Sequence, residues 1–447
     1  VDRATGIHCS AALLPDGWHK DVRIEMAGSL IAQVAVGVPA KAGDERAALV
    51  VPGMGNLHSH AFQRGMAGLA ERRGPEGDSF WTWRDVMYRF VGRLSPEDFE
   101  AIAAQAYIEM LEAGFTRVGE FHYLHHDNFG GAYNDIGEMS GRVAAAAEVS
   151  GIGLTLLPVF YAQGGFDGKP PGAAQARFIS NPDFYGRLIE RCGAIVAKLD
   201  DAVVGIAPHS LRAVSPEQLA AILPLAGKGP IHIHIAEQVK EVEDCLAWSG
   251  KRPVEWLLDK TPVDHRWCLV HATHMTEAET KALARSGAVA GLCPITEANL
   301  GDGFFPLEAF QQNGGTFGVG SDSNVRIDLL EELRLLEYGQ RLLHRARNVA
   351  APGPGRSTGR ALFDGALTGG AQALGVVAGI EVGHAADLVA LSADHAEDDA
   401  LDHAIFAQGR ISEVWCQGKK RVTQGRHLAR DAVSAKFQKT LKKLLAQ

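Results

Sequence analysis

Along the middle of the chain, short apolar runs alternate with stretches whose apolar positions recur at helical spacing. The runs cover residues 49–57, 115–121, 153–160, 202–208, 230–236, 266–271, 288–293 and 315–320. Helical patterns between them include Pro96–Ala113, Pro216–Ala226, Val239–Leu258, Glu277–Ser286 and Leu329–Ala346. Strands alternating with helices imply a parallel sheet. Eight such units over about 330 residues predict α/β architecture with a closed (β/α)8 TIM-like barrel, enlarged by loop insertions. A doubly wound open sheet is the competing arrangement on periodicity alone.

The two ends carry a different pattern. Residues 22–34 read as two strands around an Ala27-Gly28-Ser29 turn. Strand-like segments return at 386–391 and 411–416. The termini are therefore expected to build one small β-sandwich domain together, from residues 1–48 and 378–447, with the barrel at 49–377. The stretch 436–445 reads as an amphipathic helix, docked with a solvated face in preference to lying on a membrane. Residues 66–95 form a long insertion after the first run, with an aromatic cluster at Phe80-Trp81-Thr82-Trp83-Arg84. Such loops are often functional; packing of the tryptophans alone is the plainer alternative.

Composition narrows the class. A chain of 447 residues exceeds the roughly 250–300 that one core usually serves, which fits a large domain plus a smaller one. With 46% hydrophobic and 22% charged residues it is a folded protein, and no apolar run reaches the roughly 18 residues of a membrane span. The formal charge of -9 disfavours a general nucleic-acid binder. The six cysteines lack zinc-ribbon or thioredoxin spacing and are expected to be reduced thiols. No secretory pattern opens the first thirty residues, so a cytoplasmic protein is expected.

Barrel chemistry belongs at the C-terminal ends of the strands, and polar residues gather there. Run one ends in His58-Ser59-His60, whose two imidazoles share a face in extended chain. Alone this pair is an ordinary loop motif as readily as a metal site. Run five carries His232 and His234, of which His232 is expected to sit lower as a packing residue. Glu237 follows and either shuttles protons or supplies a helix N-terminal charge. His271 ends run six and Asp322 follows run eight; a core histidine and a helix cap are their bland readings. Imidazole or carboxylate at four of eight strand ends is hard to explain as packing, and points to a mononuclear metal hydrolase. Nitrogen and oxygen donors suit zinc, with iron or manganese as alternatives.

This constellation resembles the amidohydrolase superfamily over nearly the whole chain, including the return strand at Gly383-His384-Ala385-Ala386-Asp387-Leu388-Val389. The glutamate in His234-Ile235-Ala236-Glu237 resembles the aminohydrolase (deaminase) branch, and the second run lacks the bridging lysine of two-metal branches. One divalent metal per chain, most simply Zn2+, is implied. Residues 56–64 and Gly320-Ser321-Asp322-Ser323-Asn324 resemble the whole branch, while Glu120-Phe121-His122-Tyr123-Leu124-His125-His126 and residues 207–214 narrow the resemblance to deiminases of linear formimino amino acids.

That resemblance implies hydrolysis of N-formimino-L-glutamate to N-formyl-L-glutamate and ammonia, by metal-activated water attacking the formimino carbon. It implies His58, His60, His234 and Asp322 as ligands, and Glu237, His271 and Asp322 as catalytic groups. His271 is left as either a ligand or a hydrogen-bonding neighbour of the site. Arg212 is the first candidate for substrate carboxylates because its guanidinium binds them in a bidentate manner. Gln63, Tyr123 and His209 follow strand ends and can donate hydrogen bonds, against loop packing or surface placement. Arg84 is expected to assist, from its own chain or a neighbour in a homodimer. A nucleobase or nucleoside aminohydrolase is the nearest alternative, and would not need several basic groups facing two carboxylates. A catalytically dead scaffold would be expected to lose ligands.

Overall fold

A computed structural model describes residues 5–74, 77–392 and 399–446. Its central strands are β1 (Met54–Ser59), β2 (Phe115–His122), β3 (Gly153–Phe160), β4 in two pieces (Val203–Val204 and Ala207–Pro208), β5 (Ile231–Ile235), β6 (Trp267–His271), β7 (Val289–Leu292) and β8 (Thr316–Val319). All neighbouring pairs from β1 to β4 and from β5 to β8 are parallel. The two sheets meet at both edges. Single parallel bridges Ile206↔Ile231 and Ser210↔His234 join β4 to β5, and Ser59↔Asp322 joins β1 to the segment after β8. The protein is thus mixed α/β with parallel sheets. Residues of β2, β3, β5, β6 and β7 are buried throughout; β3 and β7 accordingly read as near-continuous apolar runs, while β2 and β5 carry buried polar residues among their apolar ones.

The run at 49–57 is not one strand. Glu45–Pro52 belongs to the terminal sheet, and β1 begins only at Met54. Pro52 and Gly53 let the chain leave one sheet and enter the other. The helix expected at 239–258 is also two, Val239–Ser249 and Pro253–Lys260, because Gly250 ends the first in a left-handed turn (φ 73°) and Pro253 starts the second.

The terminal sheet contains eight strands in the order Arg426–His427, Lys419–Thr423, Ile411–Cys416, Leu388–Leu391, Glu45–Pro52, Thr5–Leu14, Gly17–Ala27 and Leu30–Ala35. The expected sandwich takes the form of one continuous hydrogen-bonded path of strands from both ends. The expected hairpin is present, with Ala27 opposite Leu30 and Gly28 at φ 62°. A separate core of Ile7, Val22, Ile24, Val50, Leu388 and Trp415 lies against this sheet. The helix Arg430–Leu445 buries Val433, Phe437, Thr440 and Leu444. It docks on helix Pro96–Glu112, where Lys443 reaches Asp98 at 2.7 Å, so the amphipathic pattern serves internal packing.

The insertion after β1 is ordered around α1 (Phe80–Val91), a helix and not the long loop expected. Ser79 caps it: its hydroxyl accepts from Trp81 N at 3.3 Å, and its own N–H donates to Thr82 Oγ1 at 3.0 Å.

Candidate active site

The site is built where β1, β5, β6 and β8 end. A buried amide–hydroxyl network fixes β1 beside the turn after β8. Asn56 Nδ2 donates to Ser321 Oγ (2.6 Å), Ser321 N to Asn56 Oδ1 (3.0 Å), Ser321 Oγ to Asn324 Oδ1 (2.6 Å), and Asn324 Nδ2 to Ser59 Oγ (3.1 Å). Ser321-Asp322-Ser323-Asn324 is therefore not a helix cap; Asp328 caps the next helix. Gly320 permits this approach, since a Cβ there would stand 2.7 Å from His58 N. Ala236 (φ 51°), His271 (φ 70°), Ala272 (φ 48°) and Asp322 (φ 43°) all adopt the left-handed region. Such backbone costs about 1–3 kcal/mol per residue and persists where surrounding contacts hold it.

His58, His60, His234 and Asp322 converge, their donor atoms within 4.8 Å of one another and all four residues buried. His58 Nε2 lies 2.9 Å from His234 Nε2. Asp322 Oδ1 lies 3.3 Å from His60 Nε2 and 3.5 Å from His58 Nε2. His60 Nδ1 donates to the Phe121 carbonyl and His234 Nδ1 to the His209 carbonyl, each at 3.0 Å. Their Nε2 atoms therefore present lone pairs to the same point. Converging lone pairs beside a carboxylate repel unless a cation lies among them, so the donor set fits a divalent metal. Burial pushes His58 down to about 3, keeping it in the neutral form a ligand needs. Burial opposes charge on Asp322, but the neighbouring imidazoles hold its carboxyl well below the usual range.

His232 is two residues below His234 and does not join them; its Nε2 donates to the Ala373 carbonyl at 2.7 Å. His271 stands beside the four. Its Nε2 is 3.8 Å from Asp322 Oδ2 and 3.9 Å from Glu237 Oε1, and its Nδ1 donates to Glu297 Oε1 at 3.2 Å. Burial alone would lower His271, but Glu237, Glu297 and Asp322 raise it to about 10. Glu237 moves toward neutral pH, burial pushing its carboxyl up to about 7. Such a carboxyl suits exchange of a proton with substrate.

One cavity opens over these groups. His60, Gln63, Arg84, Tyr123, His209, Arg212, His234, Glu237, His271 and Asp322 all line it, which brings together every candidate except the innermost ligand, His58. Arg84 enters from its own chain on α1, its guanidinium 4.6 Å from the centre of the Trp81 ring and 5.5 Å from that of Tyr88. Arg212 Nη2 is 3.9 Å from Glu241 Oε2. Glu241 also accepts from Ala236 N and Glu237 N, at 3.1 and 3.2 Å, tying the arginine to the turn that carries Glu237. The Nε atoms of both arginines are buried without a hydrogen-bond partner, as is Gln63 Oε1. Gln63 Nε2 lies 3.1 Å from Tyr123 Oη.

Sequence reasoning missed several lining residues: Tyr161, one residue past β3, Phe178, Leu300, and Met87 and Tyr88 on α1. Only Tyr161 carried a signal, its position at a strand end. Glu120, on β2, was also missed. Its Oε1 accepts from Ala61 N at 2.7 Å, directly after His60, and burial pushes it up to about 8.

A metal-fitting cluster at the C-terminal ends of parallel strands, in a chain whose two termini share one sheet, defines the class. The chain belongs to the amidohydrolase family, whose model matches residues 49–421. A model of the N-terminal domain of formimidoylglutamate deiminase HutF matches residues 4–48. The chain is 50% identical to formimidoylglutamate deiminase of Pseudomonas aeruginosa, over 99% of its own length and 100% of the relative's. Within the family it thus belongs with the formimidoylglutamate deiminases. It is 29% identical to a 5-methylthioadenosine/S-adenosylhomocysteine deaminase of Natronomonas pharaonis, over 81% of this chain and 78% of that one. Among solved structures, an amidohydrolase from Brucella melitensis superposes with a TM-score of 0.97 at 57% identity, covering 99% of this chain and 100% of that one. An adenosine deaminase from Xanthomonas campestris with bound zinc shares the fold, with a TM-score of 0.79 at 21% identity and 99% of each chain covered.

Proposed function

We propose that the protein hydrolyses N-formimino-L-glutamate to N-formyl-L-glutamate and ammonia, the deimination step of histidine degradation. The observation that carries the reading is one cavity holding a metal-fitting donor set, a proton-exchanging pair and two arginines with unpartnered buried Nε atoms. The substrate matches it group by group, with an amidine for the first two and a pair of carboxylates for the arginines. A nucleobase would offer neither guanidinium group a carboxylate.

His58, His60, His234 and Asp322 would hold the ion, which supplies a water of lowered pKa and polarises the reacting centre. Arg84 and Arg212 bind the carboxylates, and Gln63, Tyr123 and His209 donate further hydrogen bonds. They fix the formimino carbon over the mouth of the site. Water oxygen bonds to that carbon, and Glu237 takes a proton and delivers it to the terminal amidine nitrogen. The carbon–nitrogen bond then breaks, ammonia departs and the formyl carbonyl forms. Asp322 accepts the second proton of the water. His271 Nε2 donates to the oxygen as negative charge develops on it.

The same reading takes β1 to β8 as a closed barrel, supported by the bridges at both sheet edges. It divides the chain into a barrel and a terminal unit built from both ends, supported by the shared eight-stranded sheet, with the first boundary moved from 48/49 to 52/53 because Glu45–Pro52 lies in that sheet. It takes zinc as the ion, supported by three imidazoles and one carboxylate. A cytoplasmic setting is supported by six buried free thiols, and a homodimer by the exposed Leu342 and Leu343 on one helix.

The test is ammonia release from N-formimino-L-glutamate with metal counted in the same sample, beside adenosine and N-formimino-L-aspartate. Turnover of the first with about one ion per chain is expected, and its loss on chelation with recovery on adding zinc. Turnover of adenosine alone would overturn the substrate.

A further inference from the structure

Glu297 is a buried carboxylate that neither lines the cavity nor joins the metal-fitting group. It lies in the short helix Pro294–Leu300 that follows β7. One of its oxygens, Oε1, accepts two hydrogen bonds, from His271 Nδ1 at 3.2 Å and from Cys293 N at 2.9 Å. The end of β7 and the imidazole at the end of β6 are thus pinned to one atom. The helix is itself held, since Ile295 N donates to Glu332 Oε2 at 2.8 Å and Asp302 N to the Glu297 carbonyl at 2.9 Å. Glu297 is therefore a fixed acceptor.

We infer that Glu297 is a positioning residue for the deimination: its carboxylate sets the orientation of His271, so that Nδ1 carries a proton and Nε2 faces the reacting centre. His271 needs such an anchor. Its backbone is in the left-handed region at φ 70°, followed by Ala272 at φ 48°. Its other nitrogen meets only the longer contacts to Glu237 and Asp322, 3.9 and 3.8 Å. Without a Nδ1 acceptor, the two orientations of the ring related by a flip about χ2 are no longer distinguished, and either nitrogen can face the cavity. Partners that fix a catalytic or ligating imidazole typically account for 10–100-fold in activity.

The inference rests on the proposed reaction, so its test has an arm that does not use it. In the metal-loaded enzyme, Glu297→Ala is expected to keep one ion per chain and a KM within about threefold, while kcat falls about 10–100-fold. Glu297→Gln, whose amide oxygen still accepts from Nδ1 and from Cys293 N, is expected to recover kcat to within about fivefold of the parent. Should the alanine chain not fold, Glu297→Met, with similar volume and no oxygen, takes its place. Imidazole 15N NMR supplies the second arm: a proton fixed on His271 Nδ1 is expected in the parent and Gln chains and lost with Ala or Met. An unchanged kcat in the Ala or Met chain, or a Gln chain as impaired as either, overturns the positioning role. A parent that fails to turn over the substrate overturns the proposed reaction instead, and the NMR comparison then decides the positioning role alone.

Discussion

At the scale of single residues, the proposed reaction assigns the arginines to binding and not to the chemistry. Arg84 and Arg212 line the cavity with buried, unpartnered Nε atoms, and neither belongs to the metal-fitting group. Replacing either by alanine is expected to raise KM at least about tenfold, roughly 1.4 kcal/mol of lost ion pairing, with the metal content unchanged. Lysine is not expected to restore it, because a single ammonium does not reproduce the planar fork. Steady-state kinetics of the four variants check this, and an unchanged KM for both alanine chains would remove the carboxylate assignment. These residues were legible from sequence because each follows a strand end or sits in an aromatic-rich insertion. Glu297 was not legible. A glutamate four residues after a cysteine is an ordinary helical residue, and only the fold brings it under His271.

At the scale of elements, α1 is where sequence and structure differ most usefully. The insertion signalled function through its aromatic residues, but its helical form rests on a weak cue, Ser79 three residues before Thr82. On the proposed reaction, that cap bears on substrate binding. Phe80, Trp83, Arg84, Met87 and Tyr88 all reach the cavity from α1, all of them within about its first two and a half turns. Ser79→Ala removes an N-cap worth about 1 kcal/mol and frays the turns that carry Arg84. It is expected to raise KM by up to about fivefold with kcat unchanged, and Ser79→Asp, which still caps, to leave both alone. A change in kcat without one in KM would mean that α1 does not hold substrate. Elsewhere the errors were of punctuation. The run 49–57 and the helix 239–258 were each read as one element because the apolar residues on the two sides of Pro52-Gly53, and of Ser249-Gly250-Lys251-Arg252, were joined across the break. Gly250, Pro52 and Pro253 mark these breaks through their backbone geometry.

At the scale of the whole molecule, the buried histidines make folding itself sensitive to acid. His125, outside the metal-fitting group, shows this most simply. It is buried in the segment after β2, and its Nε2 donates to the Val159 carbonyl on β3 at 2.8 Å. Burial, only partly offset by that bond, lowers it from the usual 6.5 to about 4. Above pH 6.5 neither the folded nor the unfolded chain protonates this ring, and it adds no pH dependence. Between pH 6.5 and about 4 the unfolded chain binds a proton that the folded chain refuses, so stability falls as pH falls. The slope from this one ring is about 1.4 kcal/mol per pH unit, and it disappears below about pH 4, where both states are protonated. His125→Gln keeps a neutral donor for the Val159 carbonyl and removes the titration. Urea unfolding of the chelated proteins from pH 7 to pH 5 is therefore expected to show a shallower loss in the variant. The difference, accumulating from pH 6.5 to pH 5, should reach about 2 kcal/mol. Parallel slopes would mean that the ring is protonated in the folded protein, with water or a rearranged loop solvating it. The acid sensitivity would then have to come from the histidines of the site, and metal would abolish it; a His125 origin predicts that it survives metal loading.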